Sequence, residues 1–152
     1  MNPTRRPLNF SDEAAAMMEA ERLLAAGYDR CGTWSLGQVC EHVAKFIDCS
    51  LDGFPMRGPW LMRKVVGPAV LPLMLKRGTM PAGFRAPKEF LPADGLDDQA
   101  GVRKLRASFE RFTSHRGELQ PSPMLGRMTP GQWKRLHLIH AAHHLGFLTA
   151  LK

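Results

Sequence analysis

Four of the six histidines in this chain fall in one short stretch: His137, His140, His143 and His144. Imidazole at neutral pH serves as a metal ligand, a proton carrier or a hydrogen-bonding core group. His140 and His144 are four positions apart, so on a helix they stand one turn apart on one face. That spacing lets two imidazoles reach a single metal ion. With about 100° per residue and His137 at zero, His140 falls near 300° and His144 near 340°. Trp133, Phe147 and Leu151 lie at about 280–320° on the same wheel. The pair therefore sits in an apolar, inward-facing stripe, where a polar ring needs a partner. His143 lies nearer the edge, at about 240°. His137 is roughly 10 Å along the axis from His144, too far for easy sharing of one ion. It is expected behind the ligands or as an alternative ligand.

Two ligands bind weakly, and a third should come from another helix. His42 is the natural candidate, because Val39, Val43 and Phe46 flank it along an apolar stripe. Three histidines leave a coordination position open, which distinguishes a catalytic from a structural site. An ion held that way makes bound water acidic or activates a thiolate. Each ligand needs its second ring nitrogen satisfied, and Gln38 or Glu41 could do so. A second reading stays open: a non-catalytic helical module, structural or oligomeric, whose histidines bond to backbone or to one another without metal. Cys49 points in a direction similar to His42 and reads as a buried, inert thiol. His115 reads as a solvated histidine at a helix C-terminus.

Helices must position these groups. The first is expected over 11–26, with Ser11 as cap, Asp12 and Glu13 in the first turn and Gly27 as stop. The second starts at Ser35, where Ser35 and Gln38 form a capping box, and runs to about Leu51. Residues 54–92 are rich in proline and glycine. They are expected to form an irregular, partly helical insertion, with one short or kinked helix near 60–76. The third long helix fits 97–115, where Val102, Leu105, Phe109 and Phe112 recur at helical spacing. The fourth starts at Thr129, with Pro130 at its first position and Gln132 completing a capping box. It is expected to continue to about Leu151. Strand signals are weak. The expected architecture is all-α, an antiparallel four-helix bundle with an elaborated connection between its second and third long helices. On the fourth helix Leu138, Ala142 and Leu145 form a second apolar face, which predicts packing against another element or a homodimer partner.

The composition excludes several classes. The chain has 152 residues, 44% of them apolar, which fits one domain over 1–152 with a real core. The net charge is +7, but the bases are scattered in pairs and only one tyrosine is present. No nucleic-acid partner is expected. Cys31, Cys40 and Cys49 form no C-x-x-C pair and predict reduced thiols in a cytoplasmic protein. Residues 1–10 hold no apolar segment of the kind a signal peptide needs. The longest apolar stretch, 60–75, is broken by Arg63, Lys64, Pro68 and Pro72 and is too short to span a bilayer. No membrane partner is expected, although a third reading lays that stretch on a membrane surface.

Two segments carry a resemblance. Trp34-Ser35-Leu36-Gly37-Gln38 followed by Glu41-His42 resembles the second-helix motif of DinB-like proteins, and the run from His140 to Leu148 resembles their final-helix H-x-x-x-H motif. The segment from Gly126 to Trp133 is similar to a related subgroup known as a domain of unknown function. The resemblance implies a four-helix bundle in which His42, His140 and His144 bind a divalent metal ion, Zn or Ni foremost. Some DinB-like proteins are metal-dependent thiol transferases that use low-molecular-weight thiols, so it implies a small-molecule substrate and transferase or hydrolase chemistry. One departure stands out. Relatives often carry a histidine before the Pro-x-x-Gly turn, and here Ser122 precedes Pro123.

Overall fold

The computed structural model describes residues 4–81 and 86–152. Residues 82–85, part of the expected insertion, and 1–3, part of the N-terminal segment read above, lie outside the described residues. The fold is mainly helical, with five α-helices and one small two-stranded sheet among the described residues.

Helix α1 (Glu13–Ala26) starts one step later than the sequence suggests. Asp12 is the cap, and its Oδ1 accepts from the Ala15 N–H at 2.8 Å. Helix α2 (Leu36–Asp52) begins with the expected box: Ser35 Oγ accepts from Gln38 N, and Gln38 Oε1 accepts from Ser35 N. A π-helical turn (Met62–Val66) leads into α3 (Gly67–Arg77), and Lys88–Phe90 form a single 3-10 turn. Helix α4 (Asp98–Ser114) is capped by Asp97. Helix α5 (Pro130–Leu145) opens on the Thr129–Gln132 box with Pro130 at its first position.

The last helix corrects an expectation. It ends at Leu145, and Leu148–Ala150 form a strand, β2, antiparallel to β1 (Tyr28–Arg30). The pairs are Tyr28 with Ala150, Asp29 with Thr149 and Arg30 with Leu148. The cause is the N-terminal segment, which crosses the helix end. Arg6 N–H donates to the Gly146 carbonyl at 2.8 Å, and Arg6 Nε donates to the Leu148 carbonyl at 2.7 Å. A Cβ at Gly146 would stand 2.6 Å from the Arg6 carbonyl oxygen, so only glycine fits that crossing. Phe147 and Leu151 therefore do not extend the helical stripe.

Helices α1, α2, α4 and α5 share one core built from Met17, Leu23, Leu36, Val43, Leu105 and Leu145, among others. Helices α2 and α4 pack backbone against backbone where Gly101 meets Gly37; a Cβ on Gly101 would lie 2.7 Å from the Gly37 Cα. The face of α5 over Leu138, Ala142 and Leu145 is buried inside this same chain, so the core accounts for the second apolar stripe. The helix over 60–77 stays outside this core. Its inner side lies on the 122–126 turn, where Cβ atoms on Gly58 or Gly67 would collide with the backbone of Pro123 and Met124. No described helix is long and apolar enough to cross a membrane.

Candidate metal centre

Helix α2 supplies His42 and helix α5 supplies His140 and His144. One ring nitrogen from each lies within 4.8 Å of the others. The one-turn spacing on α5 puts the His140 and His144 ring centroids 4.7 Å apart, and the His42 ring faces both, at 4.9 and 4.5 Å. His42 and His140 are buried, and His144 is partly covered.

The orientation of His42 is fixed from outside both helices. Its Nδ1 lies 2.8 Å from the Phe90 carbonyl oxygen. A carbonyl only accepts, so Nδ1 carries the hydrogen and a neutral His42 has its lone pair on Nε2. That nitrogen stands 3.0 Å from His140 Nε2. Ordinary metal-binding histidines are held in the same way, with the outer N–H on a carbonyl or carboxylate. The Lys45 ammonium donates to the neighbouring Glu89 carbonyl and braces the turn that bears Phe90.

Trp34 closes one side. Its ring stacks on His144 at 5.3 Å and contacts His42 at 4.9 Å. Phe46 packs edge-on to His140 at 4.8 Å. A surface cleft lined by Arg30, Trp34, Gln38, Leu91 and Asp94 opens on this side, so Trp34 belongs both to the cleft wall and to the histidine cluster. His143 lies at the margin, with Nδ1 2.9 Å from Arg5 Nη1.

Burial keeps the rings neutral. It pushes the pKa of His42 down, aided by the Lys45 charge, while the Phe90 bond works against it. Burial and the neighbouring imidazoles push His140 and His144 far below the usual histidine range. Burial and the Arg5 charge hold His143 near 4. A neutral ring is the form that ligates a metal. Three convergent neutral imidazoles in a mostly apolar wall fit a divalent ion of the borderline class. His140 Nδ1 is buried with no hydrogen-bond partner, so its Nε2 contact with His42 is the polar contact that orients this ring.

The remaining sequence candidates lie elsewhere. Gln38 uses its amide on Ser35 N and the Ala93 carbonyl. Glu41 pairs with Lys104 at 2.8 Å. His137 sits 3.0 Å from Ser50 Oγ, and Ser50 donates its own hydrogen to the Ile47 carbonyl at 2.6 Å. His137 therefore donates from Nε2, as a buried core histidine. Ser122 Oγ accepts from Met124 N and Leu125 N at 3.2 and 3.1 Å, closing the 122–126 turn. Cys40 is buried, its thiol pushed up to about 12 by burial, and burial also raises Cys49. His115 follows the end of α4 and is half-buried rather than fully solvated, with Nε2 3.3 Å from the Glu118 carbonyl oxygen. The Phe90 carbonyl and Arg5 are site groups that the sequence pattern does not mark. The carbonyl leaves no side-chain signal. Arg5 lies far from His143 along the chain.

Residues 2–151 match a family described as a protein of unknown function, DUF1569. The chain belongs to this DUF1569 family. No curated protein and no solved structure matches it. The DUF1569 match covers both helices that carry the histidine cluster.

Proposed function

We propose that His42, His140 and His144 hold one divalent metal ion, Zn or Ni, inside a DinB-like four-helix bundle made by α1, α2, α4 and α5. The observation that carries this reading is the His42 tautomer. Its Nδ1–H is committed to the Phe90 carbonyl, which leaves the Nε2 lone pair directed at His140, with the His144 ring beside it at 4.5 Å. Bound there with a position open, such an ion supplies Lewis acidity that activates a thiol or a water. The reaction class is then a metal-dependent transferase or hydrolase acting on a small electrophile, with a low-molecular-weight thiol as the co-substrate of the transferase. The protein's own groups keep the three imidazoles neutral, fix the His42 ring through Phe90, and shield His144 with Trp34. The cleft lies on the outer side of Trp34, which stands between it and the histidine rings.

The direct contact between His42 and His140 also suits a competing reading, in which the two rings bond to each other in a metal-free core. Equilibrium dialysis of untagged protein against Zn and Ni separates the two. The metal reading expects about one ion per chain, lost in the His140→Ala, His144→Ala double variant. It also expects any thiol-transfer or hydrolytic rate found in screening to vanish on chelation. Retention of metal by the double variant, or no uptake by the native chain, supports the metal-free core.

A further inference from the structure

We propose that the outer face of the 60–77 helix docks this protein on an anionic lipid bilayer surface. The inner face of that helix is marked by Gly67 and Leu71, both buried. On the opposite face Leu61, Val65, Ala69 and Leu73 recur at every fourth position, and all four are exposed. Leu61 is 56% and Leu73 49% accessible, and Trp60, at the start of the helix, is 63% accessible. Large apolar side chains stand singly on most surfaces; a continuous row of them marks a place where something docks.

The charge around the row says what docks. Between residues 53 and 88 the sequence holds seven Lys and Arg and no Asp or Glu. The rest of the chain holds fourteen of each sign, so the whole net charge of +7 belongs to this one segment. Lys64, Lys76 and Arg77 are exposed beside the apolar row, and Arg77 continues it by one more turn. An apolar helical face with a tryptophan and flanking bases is the pattern of helices that lie in a bilayer interface. The bases add attraction to anionic headgroups that falls off within a Debye length. A nucleic acid would satisfy the charges but leave the apolar row wet.

The backbone contacts of Gly58 and Gly67 on the 122–126 turn hold the helix to the body of the protein with this face outward. The segment is too short to span a bilayer, but lying on one requires no such length.

Co-sedimentation with vesicles tests the proposal. The probes are phosphatidylcholine vesicles with and without phosphatidylglycerol, at rising salt. The expected result is binding to the anionic vesicles at least about tenfold above the neutral ones, weakening as salt increases. Leu61→Ser, Val65→Ser, Leu73→Ser and, separately, Lys64→Glu, Lys76→Glu, Arg77→Glu should each reduce it about tenfold or more. All six positions are exposed, so circular dichroism should match the native chain. Equal or absent binding to the two vesicle types overturns the proposal, as does undiminished binding by either triple variant. A dimer in sedimentation velocity that the serine variant abolishes, without vesicle binding, assigns the face to a second copy and also overturns it. None of these readouts depends on the metal content of the histidine cluster.

Discussion

His42 donates its Nδ1–H to the Phe90 carbonyl at 2.8 Å and turns its Nε2 toward His140, 3.0 Å away. This relationship joins three parts of the chain: α2, the 88–90 turn and α5. It decides the tautomer of His42 before any ligand arrives, so the lone pair is already directed inward. The 88–90 turn is thereby more than a connection. It is the outer support of one proposed ligand, held by buried Phe90 and by Lys45.

Loosening that support should weaken metal binding without removing a ligand. Phe90→Leu keeps the site apolar but gives up the ring contacts with Phe46 and Phe54. Metal affinity is expected to fall about tenfold, the lower end of what lost outer-shell support does. Competition against a chromophoric chelator measures it. An unchanged affinity would mean that the Phe90 ring is not what holds the residue-90 carbonyl against His42.

His137 predicts a pH dependence of stability. Burial holds its pKa near 3, against an ordinary value of 6.5. Below about pH 6.5 the unfolded chain takes up a proton that the folded chain refuses until about pH 3. Stability therefore falls as pH falls, by up to about 1.4 kcal/mol per pH unit from this residue. His137→Gln should flatten the slope of urea-unfolding free energy between pH 6 and pH 4 by roughly that amount. A parallel slope in the variant would show that His137 is charged or exposed in the native state.

The contact of α2 with α4 depends on two glycines. A methyl at Gly101 would lie 2.7 Å from the Gly37 Cα, and the helices would have to move apart. Gly101→Ala gains helix propensity but overpacks the contact, for a net loss of about 1–3 kcal/mol. A lower urea midpoint is the expected result, and a higher one would place the helices further apart than described.

Much of this molecule is legible in its sequence, for local reasons. The Ser35–Gln38 and Thr129–Gln132 boxes are complete within four residues, and both helices start where these boxes put them. The His140–His144 spacing needs only a helix to bring the rings together, and the apolar flank of His42 points it at the same core. The end of α5 is not legible, because it is set by Arg6 and by strand pairing with residues 28–30, distant in sequence. The Phe90 carbonyl is invisible for a related reason: every residue has a backbone carbonyl, and only the fold selects this one. Glu41 and Gln38 sit close to His42 in sequence yet project to other partners, Lys104 and the helix cap.

Arg6 should act as a clasp on the end of α5. Its guanidinium donates to the Leu148 carbonyl at 2.7 Å and to Glu19 Oε1 at 2.6 Å. Arg6→Ala leaves a part-buried carbonyl and carboxylate short of donors, a loss of about 1–3 kcal/mol. Hydrogen exchange at β2 should rise more than at the centre of α2. Equal increases at both would indicate global weakening instead of a local clasp.

The most direct test of the proposed site is the metal content of untagged protein, measured by mass spectrometry beside His42→Ala and the His140→Ala, His144→Ala double variant. The expected result is close to one divalent ion per native chain, from purification or after reconstitution, and almost none in either variant. A native chain that stays metal-free after reconstitution with several divalent ions, or variants that keep the native content, would contradict it.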